Sequence, residues 1–178
     1  LGCTLDEASL KLDSPFEVFW DLFSSLSYAR NQKLLEGNRD ELAEYTLASY
    51  EHGISVTGAD FAKGLAYIDY LRSQFEAVFK DHDLLISPTM SVTPFPHGKP
   101  PTSIGGIDTH LFWGYLPFTY PINMIGYPAA SIPCGFSEEG LPIGLHIIGP
   151  RFGEATIFAA SAAFEEAMPW IHRKPMVS

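Results

Sequence analysis

A change in hydrophobic periodicity near residue 82 most restricts the folds open to this chain. Before it, apolar residues recur every three to four positions, as they do on one face of an α-helix. After it comes a short apolar run at 83–87, which ends at Pro88 and has the length of a buried strand. Helices followed by strands predict a layered α/β fold.

The first predicted helix begins at Pro15, with Ser14 as its N-cap. Its apolar residues have helical spacing, which favours a place in the core over a ligand site. They are Phe16, Phe19, Trp20, Phe23 and Leu26. A second helix is predicted from about residue 40 to His52. Gly53 is predicted to end it, because glycine accepts the left-handed conformation common at helix ends.

A third helix is predicted to begin at Thr57, which forms a capping-box pattern with Asp60. Its apolar face is the clearest amphipathic stripe in the chain. The stripe consists of Phe61, Leu65, Ile68, Leu71, Phe75 and Val78. The following run at 83–87 is predicted as a strand buried on both faces.

A segment rich in Pro, Gly and Thr, residues 88–121, separates these helices from the second half. There, 129–133 and 143–148 are predicted as strands in hairpin order, and 154–168 as a helix. The resulting prediction is a mixed β-sheet flanked by helices. A length of 178 residues suits one domain. Its helical part covers about 14–82, and its strand, loop and helix part covers about 83–170.

Composition excludes several classes of function. The formal net charge of −10 would repel phosphate backbones, so nucleic-acid binding is not expected. The chain has no apolar run approaching the roughly 20 residues of a membrane helix, and no export signal is visible. Cys3 and Cys134 have no metal-ligand or disulfide-framework spacing. A reduced, cytoplasmic protein without a membrane partner is therefore expected.

Known catalytic motifs give little indication of an active site in this chain. The six histidines include no HExxH motif, so no metal site is predicted, and the Gly-x-Ser-x-Gly serine motif is absent. The glycines of "SIGGID" and "IGPRFGE" are interpreted as turns. Asp81 and Asp83 around His82 are interpreted as a solvated helix end. Cys134 would be a nucleophile only with a histidine nearby, and a small buried residue is the simpler interpretation.

Three stretches together resemble the C-terminal region of the amidase signature family. They are "GADFAKGLAYIDYLRSQFEAVFKDHDLLISPTM", "PFTYPINMIGYPAASIPCGF" and "GLPIGLHIIGPRFGEATIFAASAAFE". The resemblance covers essentially the whole chain but less than half of a full-length member. It implies the C-terminal part of the amidase signature fold, an α/β architecture.

The resemblance also implies hydrolysis of a carbon–nitrogen bond by a serine nucleophile, a bridging serine and a lysine base, without metal or organic cofactor. The glycine- and serine-rich loop and the lysine strand that carry these groups have no counterpart here, so no catalytic residue is assigned. Because the chain opens with Leu1 inside what reads as structured sequence, an N-terminal catalytic half is expected on the same or a separate chain. The segment alone is expected to be inactive.

By the same resemblance, this portion lines one wall of a pocket for a small amide substrate. The loop after the Ser-Pro-Thr strand and the segment that leads into Thr-x-Pro-x-Asn supply the candidates. They are Thr89, Met90, Phe95, Trp113, Tyr115, Phe118 and Asn123. Trp113 and Phe118 would equally suit the core, and Asn123 could simply bond to backbone.

This chain departs from the pattern of the amidase signature family in two places. The A subunits of the tRNA-dependent amidotransferases tend to carry an acidic residue where this chain has "LFWGYLPF", so an apolar or aromatic amide fits better than glutamine. His146 stands where many relatives carry glutamine, and it is interpreted as a polar core substitution. Two alternatives stay open, a non-catalytic packing or oligomerisation module and a cysteine hydrolase built on Cys134. A homodimer is also compatible with the sequence.

Overall fold

The computed structural model describes residues 2–13 and 15–174. The chain forms two compact units, Lys11–Ser73 and a second that joins Leu1–Leu10 to Gln74–Ser178. The first unit is helical, and the second contains the sheets. Among the described residues, no helix is both long and apolar enough to cross a membrane.

The helical unit begins with α1 (Pro15–Asn38), a 3₁₀ turn (Arg39–Glu41) and α2 (Glu44–Ser55). The predicted start of α1 at Pro15 is confirmed, while its predicted cap Ser14 lies outside the described residues. Phe19 and Trp20 are buried as predicted. Leu26 was expected in the same core stripe but is 43% exposed.

Gly53 does not end α2, so that prediction is wrong. The helix continues through it to Ser55. A Cβ atom on Gly53 would lie 2.3 Å from the carbonyl oxygen of Ser24 in α1. The glycine therefore permits two helix backbones to approach closely, and it is a packing residue rather than a helix terminator. The start near residue 40 was also wrong, because 39–41 form the separate 3₁₀ turn.

Helix α3 (Gly58–Val78) follows the predicted cap. The Asp60 N–H donates to Thr57 Oγ1 at 3.2 Å, and the Thr57 hydroxyl donates to Asp60 Oδ2 at 2.6 Å. The Thr57 hydroxyl, followed by Lys63, holds the pKa of Asp60 below its usual value. The capping prediction is confirmed.

The apolar stripe of α3 is only partly as predicted. Leu71 and Phe75 are almost completely buried, whereas Leu65 is 50% exposed. The neighbouring Gly64 is buried in its place, and a Cβ atom there would lie 2.7 Å from Leu22 Cγ. The residue of α3 in close contact with α1 is therefore Gly64, one position before Leu65, which the periodicity had predicted.

The larger sheet contains β1 (Leu85–Pro88), β4 (Ala129–Phe136) and β5 (Pro142–Ile148) in the order β1-β5-β4. The predicted hairpin of β4 and β5 is confirmed, with an irregularity in the register between Pro133 and Gly135. Both pairings in this sheet are antiparallel. The parallel component of the predicted mixed sheet is therefore not found among the described residues.

Strand β1 is not buried on both faces as predicted, since Ile86 is 48% exposed. The strand lies at one side of the sheet and pairs only with β5 among the described strands. The central strand β5 is the buried one, with Ile147 and Ile148 almost inaccessible. Helix α5 (Glu154–Ala167) lies against β4 and β5, and its Ile157 is buried, which confirms the α/β class.

Two short structures lie in the Pro-rich segment and at its end. Strands β2 (Ser103–Ile104) and β3 (Ile107–Asp108) form a hairpin whose turn residues, Gly105 and Gly106, have φ of 59° and 79°. This confirms the turn predicted for "SIGGID", because a two-residue type I′ hairpin turn needs positive φ angles at both central residues. Helix α4 (Tyr120–Ile125) was not predicted, since its six residues are too few to show a period.

Candidate functional site

A cavity of about 460 Å³ lies between the loop after β1 and the start of β5. We call it the loop cavity. It is lined by Met90, Ser91, Val92, Thr93, Pro94, Phe95, Pro142, Ile143 and Gly144. None of these residues carries a charge, and the volume falls within the usual range for small-molecule sites. The cavity therefore suits an uncharged, largely apolar group.

Four of the seven predicted pocket residues lie together here. Met90 and Phe95 line the loop cavity, and Thr89 directly precedes Met90. The ring of Phe95 meets that of Tyr115 edge to face, with their centroids 5.0 Å apart. The Ser91 N–H donates to the Tyr115 carbonyl at 3.3 Å, which ties the two segments together.

The other three predicted residues do not line the loop cavity as the structure describes it. The Trp113 backbone N–H donates to the His110 carbonyl at 3.3 Å, within a turn. Phe118 is 37% exposed, and Asn123 lies exposed in α4. A role in substrate binding stays a prediction for all seven residues.

Beside the cavity, polar side chains form a row across the larger sheet. The register places Ser87 of β1 and Ser131 of β4 opposite His146 of β5, so all three side chains share one face. Thr89 Oγ1 lies 2.7 Å from Ser131 Oγ. We call Ser87, Thr89, Ser131 and His146 the polar row. Sequence reasoning missed the two serines, although the strand alternation combined with the hairpin register could have indicated them.

His146 is the buried member of the row, only 5% exposed. Burial lowers the pKa of its imidazole, because a low-dielectric environment disfavours the charged form. Its Nδ1 atom has no hydrogen-bond partner within the described residues. The interpretation of His146 as a buried polar residue is confirmed, and its unpartnered nitrogen is the kind of buried polar atom that an ordered water or a bound group usually satisfies.

A second cavity, of about 420 Å³, contains both Cys134 and His172 in its wall. The Cys134 thiol donates to the Ile143 carbonyl at 3.5 Å. The Arg173 guanidinium also lies there, 4.4 Å from the centroid of the Phe136 ring. The described contact of the thiol is thus with a backbone carbonyl rather than with an imidazole.

Two other histidines have structural contacts. His52 Nε2 lies 2.6 Å from Asp21 Oδ1, a pairing that the sequence did not predict. His82 Nδ1 lies 3.0 Å from the Val78 carbonyl oxygen, near the end of α3. Over residues 2–13 and 15–174, no three His, Cys, Asp or Glu side chains are grouped as metal ligands would be.

Known proteins similar to this chain point to one family. The Amidase family profile matches residues 20–158. An acylamidase of Rhodococcus erythropolis is 30% identical over 98% of this chain, and the match covers 37% of that protein. The A subunit of the glutamyl-tRNA(Gln) amidotransferase of Halothermothrix orenii is 36% identical over 79% of this chain and 28% of its own length.

Among solved structures, a bacterial aryl acylamidase of the amidase signature enzymes is similar, with a TM-score of 0.79 and 27% identity. The likeness covers 88% of this chain and 34% of that one. The chain thus spans about a third of the length of the relatives it matches. The extent of the profile match and the shared fold agree with the motifs, and the chain belongs to the amidase signature family.

Proposed function

We propose that this chain forms one wall of the substrate pocket of an amide hydrolase whose serine, bridging serine and lysine lie in a segment outside these residues. The loop cavity is the observation that carries the proposal. It joins the Ser-Pro-Thr loop to the start of β5 and has the volume of a small-molecule site. Membership of the amidase signature family supplies the reaction class.

The chemistry of the wall favours an apolar acyl or aryl group. Met90, Phe95 and Ile143 present apolar surface to the cavity, and the ring of Tyr115 packs against Phe95. The cavity offers no charged side chain to a glutamine ammonium or carboxylate. The similarity to an acylamidase and an aryl acylamidase agrees with this preference, whereas glutamine amide hydrolysis, as in a tRNA-dependent amidotransferase, is the weaker alternative.

The proposal is tested by supplying the missing catalytic groups. The chain is assayed alone and after joining it to the catalytic part of the R. erythropolis acylamidase, with aliphatic and aryl amides as substrates. We expect no turnover by the chain alone and turnover by the joined protein. The matched control is the same joined protein with its nucleophilic serine replaced by alanine, which should be inactive. Turnover by the chain alone would overturn this assignment of roles.

Two variants separate the alternatives. Phe95→Ala in the joined protein should lower kcat/KM for aryl amides about tenfold or more, because the ring loses its place in the pocket wall. Cys134→Ser should leave activity intact, since a hydroxyl can donate to the same carbonyl. Loss of all activity in Cys134→Ser would instead favour a cysteine hydrolase. A joined protein that folds but never turns over would favour the non-catalytic packing module.

A further inference from the structure

The second cavity, of about 420 Å³, lies between the end of β4 and the turn that follows α5. Residues 133–137, 168–170, 172 and 173 form its wall, and we call it the bulge cavity. None of these residues lines the loop cavity. All of them belong to the compact unit that contains the sheets. The volume suits a small molecule, and the proposed function gives this cavity no role.

An irregularity in β4 shapes one side of the bulge cavity. The register passes from Pro133 to Gly135 on β4 while β5 advances by one residue, so Cys134 is an extra residue in its strand. Two residues opposite one is the pattern of a β-bulge, which bends a strand and re-aims its side chains. The Cys134 thiol donates to the Ile143 carbonyl at 3.5 Å and also lies in the cavity wall. The thiol is therefore a local marker of whether the cavity is occupied.

Arg173 is the permanently charged group of the cavity. Its guanidinium carbon lies 4.4 Å from the centroid of the Phe136 ring, which is also in the wall. The Arg173 backbone N–H donates to the Trp170 carbonyl at 2.8 Å, so a turn holds the residue in place. Within residues 2–13 and 15–174, no carboxylate forms an ion pair with Arg173. A ring contact uses none of the five guanidinium N–H groups as a conventional donor, so they remain for a planar acceptor.

The rest of the wall favours a carboxylate on an apolar body. The Ser137 hydroxyl accepts from the Leu141 N–H at 3.2 Å, which leaves its own hydrogen for an acceptor. His172 supplies a further N–H in either neutral tautomer. The lining residues that the structure describes include no aspartate or glutamate. Met168 and the ring of Trp170 add apolar surface, against which an aromatic group packs well.

The formal net charge of −10 opposes an anion, and distance decides which effect is larger. At physiological ionic strength the Debye length is about 8 Å, so exposed carboxylates beyond that distance act weakly. A carboxylate bound by a guanidinium fork lies about 2.8 Å from its donors and is screened much less. The acids adjacent in sequence to the wall are all exposed and do not line the cavity. They are Glu138, Glu139, Glu165 and Glu166.

We propose that the bulge cavity is a binding site for a small aromatic carboxylate. The carboxylate accepts from the guanidinium of Arg173 and from the Ser137 hydroxyl. The aromatic body lies against Met168 and Trp170. This site is additional to the pocket wall of the proposed function and does not depend on it, because it requires no turnover and shares no lining residue with the loop cavity.

The test uses the 178-residue chain labelled with ¹⁵N-arginine, with 2-naphthoate and 2-naphthamide as probes that share a ring system and differ in charge. The side-chain signal of Arg173 is identified by its loss in Arg173→Gln, and affinities are read from this signal. We expect 2-naphthoate to bind at least about tenfold more tightly than 2-naphthamide, because only the carboxylate pairs with the guanidinium. Acetate should bind more weakly than 2-naphthoate by a similar factor, because it buries no ring. Equal affinities of the two naphthyl probes, or no shift of the Arg173 signal, would overturn the proposal.

The thiol reports occupancy in the variants. In a Cys3→Ser chain, Cys134 is the remaining cysteine, and bound 2-naphthoate should slow its alkylation by iodoacetamide. Arg173→Gln should raise the 2-naphthoate concentration needed for half-protection about tenfold. The matched control Arg151→Gln changes an arginine that also lies over a ring, that of Phe152, outside the cavity wall, and should change nothing. Equal protection in the two arginine variants would refute the site.

A second variant keeps the test decisive if Arg173→Gln lowers the Tm of the chain. Arg173→Lys keeps the charge but loses the planar fork. It should protect Cys134 less well than the unchanged arginine does, while 2-naphthoate should still protect better than 2-naphthamide. Equal protection by the two probes in Arg173→Lys would overturn the proposal.

Discussion

Two groups of polar side chains, one in each compact unit, differ in how their hydrogen bonds are satisfied. Between α1 and α2, the Ser49 hydroxyl donates to Ser24 Oγ at 3.4 Å, and His52 lies 2.6 Å from Asp21. In the polar row, by contrast, His146 Nδ1 has no partner among the described residues. The helical group thus pairs its polar side chains with one another, whereas the row contains a buried nitrogen without a described partner.

The largest expected effect comes from the helical unit. Gly53→Ala would place a Cβ atom 2.3 Å from the Ser24 carbonyl oxygen, so the two helices must separate. We expect a loss of about 1–3 kcal/mol in the free energy of unfolding, even though alanine has the higher helix propensity. Urea unfolding measures it. The control Gly37→Ala, also in a helix but with open space around it, should be neutral or stabilising.

A smaller effect should separate the two histidines. His52→Leu removes the partner of the Asp21 carboxylate and should cost about 0.5–1.5 kcal/mol of unfolding free energy. His146→Leu removes an unsatisfied nitrogen and should cost less, or even stabilise the chain. Both values come from urea unfolding at neutral pH. A larger loss of unfolding free energy for His146→Leu than for His52→Leu would mean that the hydrogen bonds of the polar row are already satisfied within the chain. That outcome would contradict the comparison.

The smallest effect is a pH dependence. Burial places the pKa of His146 in the folded chain below its ordinary value of 6.5, so the unfolded chain binds the proton more readily. Stability should therefore be fully retained above about pH 6.5 and fall as the pH drops below that value towards the folded pKa. Thermal unfolding of the chain and of His146→Gln, from pH 7.5 to 5, measures this contribution. His97→Gln, which changes an exposed histidine, is the matched control. The wild-type curve should fall more steeply than that of His146→Gln, and parallel curves would contradict the prediction.

Local sequence signals predicted elements well where the signal and its partner lie within a few residues. The Thr57 cap, the Gly105 and Gly106 turn and the hairpin of β4 and β5 were all found this way. Predictions that depended on contacts with residues distant in sequence were less accurate. Gly53 was predicted to end a helix because glycine is common at helix ends. The residues next to it in sequence do not show that α1 approaches it in space. Ile86 was placed in the core because an apolar strand gives no sign of lying at the side of a sheet.

In the candidate site too, contiguous motifs were found from the sequence, whereas residues brought together by strand pairing were missed. The resemblance pointed to the loop that holds Met90 and Phe95, because motifs such as Ser-Pro-Thr are contiguous in sequence. It missed Ser87 and Ser131, which are 44 positions apart and meet His146 only through strand pairing. Trp113 and Phe118 were candidates because aromatic residues suit pockets and cores equally, and composition does not distinguish the two.

The sequence by itself determined the family, the α/β class and local features such as the Thr57 cap and the Gly105 and Gly106 turn, because these depend on contiguous motifs and local backbone preferences. Only the tertiary structure decided which glycine permits helix contact, which side of the sheet holds a polar row and which buried nitrogen lacks a partner. Those properties depend on residues distant in sequence, and hydrogen bonding and close packing act through distances in space.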